Sequence, residues 1–174
     1  FFRYNVRVKR RFLIGVDEAG RGPLAGPVTV AAVLLMREFP HRELKGVRDC
    51  KKLTPLAREV WYKKILAWRR AGLLEFSCAS SSATVIDSRG IAPAIRSALR
   101  RALKRFEVRP RTARVLLDGS LFAPDEFVDQ ETIIGGDDSI PVIALASIVA
   151  KVRRDRRIRR LATLYPRYGF EVHK

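Results

Sequence analysis

Apolar residues run from Phe12 to Val16 and stop abruptly at Asp17-Glu18; a Gly20-Arg21-Gly22-Pro23 turn follows, and a second apolar run extends from Val28 to Leu35. This pattern predicts two paired strands joined by a glycine-rich loop. After a basic connector, Thr54-Pro55 has the form of an N-cap followed by proline at the first helical position. Leu56, Val60, Trp61, Ile65 and Trp68 then recur at helical spacing, which predicts a helix from 55 to about 70 with the two tryptophans in the core. Glu75 to Ala79 reads as a strand and Ser80-Ser81-Ser82 as a loop. From Ile91, apolar residues at 91, 95, 98, 99, 102, 103 and 106 form one face of a helix whose remainder is rich in arginine and lysine.

Val115-Leu116-Leu117 reads as a short buried strand ending in Asp118-Gly119, and Thr132-Ile133-Ile134 as another, ending in Gly135-Gly136-Asp137-Asp138. Pro141 opens a helix with apolar positions 142, 145, 146, 149 and 152, which runs on into the arginine-rich stretch from Arg153 to Arg160. No internal repeat, linker or low-complexity tract interrupts the pattern, so one α/β domain is expected across residues 1–174.

Charge narrows the function classes. Lys plus Arg number 35 against 18 Asp plus Glu, a net charge of +17, and such an imbalance calls for a polyanionic partner, nucleic acid first. The longest apolar run, Val28 to Met36, is far shorter than the roughly 20 residues of a spanning helix, so no membrane association is expected. Cys50 and Cys78 lie far apart and the two histidines are not near them, which argues against a disulfide scaffold and a zinc site and fits a reducing cytoplasm. The chain begins Phe1-Phe2 and its only methionine is Met36, as expected of a trimmed chain.

Against so basic a background, acidic residues at the ends of apolar strands stand out, because an uncompensated buried carboxylate is costly. If three of the strands are neighbours in one sheet, Asp17, Glu18, Asp118 and Asp137 converge at one edge, an oxygen-rich set suited to magnesium or manganese. Each acid taken singly could equally be a turn or cap residue. Carboxylates beside a basic surface suggest metal-dependent phosphodiester chemistry.

The segment Gly15-Val16-Asp17-Glu18-Ala19-Gly20-Arg21-Gly22-Pro23-Leu24-Ala25-Gly26-Pro27 resembles the opening signature of ribonuclease HII. Further motifs follow in the family's order: Asp49-Cys50-Lys51-Lys52-Leu53, Ile86-Asp87 through Gly90-Ile91, and Leu117-Asp118-Gly119. After these come Gly136-Asp137 with Pro141, the block Ala146-Ser147-Ile148-Val149-Ala150-Lys151-Val152 with Arg154-Asp155, and Tyr165-Pro166 to His173-Lys174. The resemblance implies a ribonuclease H-like fold, an α/β architecture with a mixed central sheet flanked by helices. It also implies a monomeric endoribonuclease that cuts on the 5′ side of ribonucleotides in RNA:DNA hybrids and in duplex DNA, leaving a 3′-OH and a 5′-phosphate, for ribonucleotide removal from DNA in the cytoplasm.

By the same resemblance the metal ligands are Asp17, Glu18, Asp118 and Asp137, with Asp138 the competing choice for the fourth; Asp137 is preferred because it directly follows Gly136 and stands four residues before Pro141. Gly20, Arg21 and Gly22 would sense the ribose 2′-OH through closely approaching backbone, and Lys51, Lys52, Ser147 and Lys151 would contact substrate. The Arg153 to Arg160 run is read as a nucleic-acid backbone contact, the alternative being a solvated helix end.

Three departures from the family pattern accompany the match: Cys50 replaces a serine, Leu145 stands where a small residue is usual, and the family's Gly-Tyr and following helices do not occur within the 174 residues. The 174-residue form is therefore expected to bind hybrid and metal but to cleave a lone embedded ribonucleotide poorly. A non-catalytic basic binding domain and the related ribonuclease HIII are the rival readings; the latter is disfavoured because residues 1–11 leave no room for its extra N-terminal domain.

Overall fold

The computed structural model describes residues 12–47 and 50–170. Five strands form one mixed sheet in the order β3-β2-β1-β4-β5: β1 Phe12–Ala19, β2 Val28–Leu35, β3 Leu74–Ser81, β4 Ala113–Asp118 and β5 Gln130–Ile133. β1 pairs antiparallel with β2, and β2 antiparallel with β3, whereas β4 and β5 run parallel to β1. The three acid-terminated segments are thus neighbours, as the sequence pattern required. α1 spans Pro55–Arg70, α2 Ala83–Arg89, α3 Ile91–Leu103, α4 Gly136–Ser139 and α5 Pro141–Leu164.

Alternation along each strand gives the sheet two apolar faces. Ile14, Val16, Val30 and Ala32 pack with α3, while Ala31, Val33 and Leu35 pack with α1 and α5. The first half of α5 is enclosed all round, every residue from Val142 to Ala150 being buried. That packing depends on Gly15: a Cβ there would lie 2.3 Å from the Val142 carbonyl oxygen and 2.7 Å from the Ile143 nitrogen, so α5 can sit directly on β1 only where β1 has no side chain. Gly15→Ala must push helix from strand, and we expect it to cost about 3 kcal/mol or more, read from the midpoint of urea unfolding. An unchanged midpoint would mean that α5 does not sit this close.

The remaining elements follow the sequence pattern with local exceptions. Thr54 caps α1 by accepting the Ala57 N–H at 3.2 Å. The buried face of α1 is set by Tyr62 and Ile65, with Trp61 and Trp68 half-buried beside them, whereas Leu56 and Val60 face solvent. The expected apolar stripe is therefore rotated. Ser80 and Ser81 belong to β3 rather than to a loop: Ser80 Oγ meets Thr29 Oγ1 at 2.8 Å, and Ser81 Oγ donates to the Ala94 carbonyl at 2.8 Å. Ser82 then caps α2. β5 ends at Ile133, and Ile134 is exposed rather than paired.

Candidate active site

Parallel pairing of β1 with β4 matches Val16 to Leu117, so the next residues, Asp17 and Asp118, leave the ladder side by side. Both fall on the α5 face by alternation, which sends Glu18 to the other face. Asp137 arrives differently. After β5 the chain turns through Gly135 in the left-handed region (φ 67°) and enters α4, which buries Asp137 in its first turn. The Asp137 N–H donates to Asp118 Oδ1 at 3.2 Å and locks that turn onto the end of β4. Asp137 is thus a helix residue, where the sequence pattern had placed it at the end of a strand.

One carboxylate oxygen each from Asp17, Asp118 and Asp137 lies within 4.8 Å of the others. Asp17 is buried, at 4% exposure. Burial, the adjacent Glu18 charge and Asp118 together raise its carboxyl well above the ordinary value, while a hydrogen bond from Ser147 on α5 and the Glu18 N–H, at 2.7 Å, pull the other way. Burial raises Glu18 as well, opposed by Arg21 and reinforced by Asp118. Asp118 acts electrostatically on both neighbours and accepts from the third, so it stands at the centre of the four. Glu18 lies outside the tight trio, with Arg21 NH1 3.6 Å from its Oε1 and its Oε2 buried without a hydrogen-bond partner.

The donor set fits a hard divalent cation. All the convergent atoms are carboxylate oxygens, burial disfavours the charge on Asp17 and on neighbouring Glu18, and one Glu18 oxygen lacks a hydrogen-bond partner. The charge strain has a measurable sign. Because Asp17 and Glu18 hold protons in the folded chain at a pH where the unfolded chain has released them, stability falls as pH rises from their ordinary values through the raised folded ones. With chelator present, Asp17→Asn should therefore raise the melting temperature at pH 8 by about 2–4 °C, equivalent to about 1 kcal/mol, with the gain vanishing in acid. A gain equal at all pH values would show that the repulsion is not its source.

The other site residues predicted from sequence are distributed around this trio. Lys51 and Lys52 lie on a single 3-10 turn, Cys50–Lys52; Lys51 Nζ sits 3.2 Å from Asp137 Oδ2 and Lys52 Nζ 2.6 Å from Asp138 Oδ2. Asp138 is half exposed and stands outside the trio. Arg21 reaches from the β1–β2 loop to Ser120 Oγ, 3.1 Å away beyond β4, and so spans the mouth of the site. Space beside Gly22 is open. Ser147 is buried and engaged with Asp17, and Lys151 is ion-paired with Asp155 at 2.9 Å. Asp49, His173 and Lys174 lie outside the described residues.

Arg154 belongs to a motif in the sequence but carries no site role there. It is 1% exposed, donating from Nε to the Pro27 carbonyl at 3.1 Å and from NH2 to the Ala25 carbonyl at 3.3 Å, so it pins the far end of the Gly20 to Pro27 loop to α5. Burial lowers its pKa and the neighbouring Asp155 raises it. Gly20 (φ 102°) completes the joint: a Cβ there would fall 2.3 Å from Arg154 Nε and 2.6 Å from the Pro27 oxygen. The only sequence sign was a basic-acidic pair inside a motif, which charge alone assigns to the surface.

Residues 14–174 match the family model described as ribonuclease HII. Ribonuclease HII of Polaromonas sp. (strain JS666 / ATCC BAA-500) is 46% identical over 162 residues, covering 93% of this chain and 76% of that protein. Ribonuclease HII of Caldicellulosiruptor saccharolyticus is 44% identical over 164 residues, covering 94% and 75%. Among solved structures, ribonuclease H2 from Pyrococcus horikoshii OT3 superposes with a TM-score of 0.70 at 27% identity, over 91% of this chain and 79% of that one. RNase HII in its complex with PCNA from Archaeoglobus fulgidus gives 0.69 at 28% identity, over 88% and 78%.

Proposed function

As a member of the ribonuclease HII family the chain is an endoribonuclease, and we propose that it hydrolyses the phosphodiester on the 5′ side of ribonucleotides, in RNA:DNA hybrids and singly embedded in duplex DNA. The products would be a 3′-OH and a 5′-phosphate, and the use ribonucleotide removal from DNA in the cytoplasm. The observation that carries this reading is the convergence of Asp17, Asp118 and Asp137 at one end of the sheet. These three, with Glu18, would hold the divalent metal. Bound there, magnesium or manganese supplies water activation and charge stabilisation at the departing oxygen.

The protein's own groups do the rest. Ser147 holds the Asp17 carboxylate through its hydroxyl, and the Asp137 N–H fixes the Asp118 carboxylate. Gly22, with open space beside it, would bring loop backbone to a ribose 2′-OH, the one group that separates RNA from DNA, while Gly20 lets the loop close on Arg154 and Arg21 sits across the mouth to meet a phosphate. Lys51 and Lys52, on their own turn against Asp137 and Asp138, bring positive charge to the substrate backbone at the opposite rim. Residues 1–174 act in this reading as one catalytic unit. Among the described residues no helix is long and apolar enough to cross a membrane.

The test is cleavage of three duplexes: a long RNA:DNA hybrid, a DNA duplex with one ribonucleotide, and all-DNA. Each is incubated with magnesium, with manganese and with chelator. We expect cleavage of ribonucleotide-containing substrates only, the hybrid well and the singly embedded ribonucleotide poorly, with 3′-OH ends, abolished by chelator. Cleavage of all-DNA at a similar rate, or activity that survives chelation, would overturn the proposal.

A further inference from the structure

A second basic surface lies at the opposite edge of the sheet from β5. α3 and α5 flank β3 and leave between them a groove of about 710 Å³, with β3 residues Cys78 to Ser80 as its floor. Six arginines line it: Arg101 from α3, Arg105 just beyond the end of that helix, and Arg153, Arg156, Arg157 and Arg160 from α5. The α5 set falls at i, i+3, i+4 and i+7, a single helical face. This divides the Arg153 to Arg160 stretch, which the sequence pattern treats as uniform: Arg154 is buried in the loop joint and Arg159 lies outside the groove.

The charge in the groove is almost uncompensated. Arg156 pairs with Glu59 at 2.8 Å and covers the Tyr62 ring. Among the described residues, none of the other five arginines has a carboxylate within ion-pair distance. Arg101 and Arg105 donate to the Ser80 and Cys78 carbonyls, contacts that orient their guanidinium groups without neutralising them. The Cys78 thiol, pushed up to about 11 by burial, adds no negative charge to the floor. Guanidinium groups gathered this way repel one another unless an anion lies between them, and their planar forks match phosphate.

We propose that this groove binds a run of nucleic-acid phosphates, as a second backbone contact beyond the carboxylate site. From Arg153 to Arg160 the helix rises about 10 Å, the axial length of about three nucleotides of one strand. The groove is also within reach of the site. Cys78 pairs with Ala31 and Ala31 with Asp17, so its floor lies two strand spacings, roughly 10 Å, from the β1 carboxylate along one row of the sheet. A single substrate could therefore touch both, the groove supplying affinity without sequence or sugar preference.

The inference rests on the nuclease reading, and the test separates the two. Affinity for a short plain DNA duplex is measured against salt for the wild type and for Arg157→Gln with Arg160→Gln, two exposed positions whose replacement leaves the core untouched. The control is Arg109→Gln with Arg111→Gln, an equal charge change on the segment before β4, at the far end of that strand from Asp118. We expect the groove variant to lower the slope of log affinity on log salt by about 1.8, so that its loss of affinity between 50 and 200 mM salt is about tenfold smaller than that of the wild type. The control should keep the wild-type slope.

An unchanged slope in the groove variant would overturn the inference. If its melting temperature also dropped, the two arginines would serve the fold instead. Equal flattening in both variants would overturn it too, since the effect would then belong to the overall field. A wild type that cleaves hybrid while the groove variant shows no change leaves the nuclease reading standing. A wild type that neither cleaves hybrid nor binds duplex removes the nuclease reading itself.

Discussion

Asp118→Asn is expected to lower cleavage of an RNA:DNA hybrid by about 10³-fold or more, about 4 kcal/mol in the barrier, while duplex affinity in the absence of metal changes little. No other acid touches so much of the site: Asp118 raises the carboxyls of Asp17 and Glu18 and receives the Asp137 N–H at 3.2 Å. Asparagine keeps the size and the acceptor oxygen, so α4 should stay docked, but a full charge disappears from the convergent trio. Single-turnover rates with substrate binding measured separately decide the matter. A variant retaining a tenth of the wild-type rate would rule out this centre.

Asp138→Asn is the internal comparison. That carboxylate is half exposed and paired with Lys52, an arrangement that contributes little in water, so its loss should change the rate by less than about threefold. A larger effect than that of the neighbouring Asp137→Asn would overturn the choice of Asp137 over Asp138 for the fourth ligand.

Arg154→Leu should destabilise the fold by about 2–4 kcal/mol and, at a temperature where the variant is still folded, slow cleavage by about 10–100-fold. The first effect follows from removing a buried cation that donates to two loop carbonyls and lies beside Asp155, which would be left in the interior with only Lys151. The second follows from what the loop carries. Pinned at Pro27 and Ala25, it presents Gly20 to Gly22 at the mouth of the site; released, it leaves the scissile phosphate loosely oriented. Lysine at 154 should recover only part of the stability, because one ammonium group cannot span two carbonyls as a guanidinium does. Wild-type rates in the leucine variant would show that loop position does not matter to the reaction.

These two experiments also mark what could and could not be read from the chain. The β1–β2 hairpin, the Thr54-Pro55 start of α1 and the apolar face of α3 follow from local rules of alternation, capping and helical spacing, and the structure has them where those rules put them. The convergence of Asp17 and Asp118 was equally legible, since parallel neighbours ending at the same level bring their terminal acids together. The approach of Asp137 to those two acids was legible too, but not its place in a helix, because α4 is a four-residue turn set up by Gly135.

Two features escaped because their polar residues are satisfied inside the protein. Serines 80 and 81 look like a loop until Thr29 and the Ala94 carbonyl appear as their partners. Arg154 and Asp155 look like solvent-facing charges until the β1–β2 loop closes over them. α2 was missed for the opposite reason: none of its residues is fully buried, and only Val85 and Ile86 lean on the core, too few to make a detectable stripe.

The arginines above β3 bear on how the molecule behaves among copies of itself. An outermost strand offers a row of free backbone groups onto which another chain can add, extending the sheet from molecule to molecule. Here the outward carbonyls of Cys78 and Ser80 are already taken by Arg105 and Arg101, and the opposite border of the sheet, β5, is only four residues long. Positive charge at one border and brevity at the other leave little template for strand addition. The same guanidinium groups that await an anion thus guard a very basic chain against aggregation at the high concentrations at which it would be purified and stored.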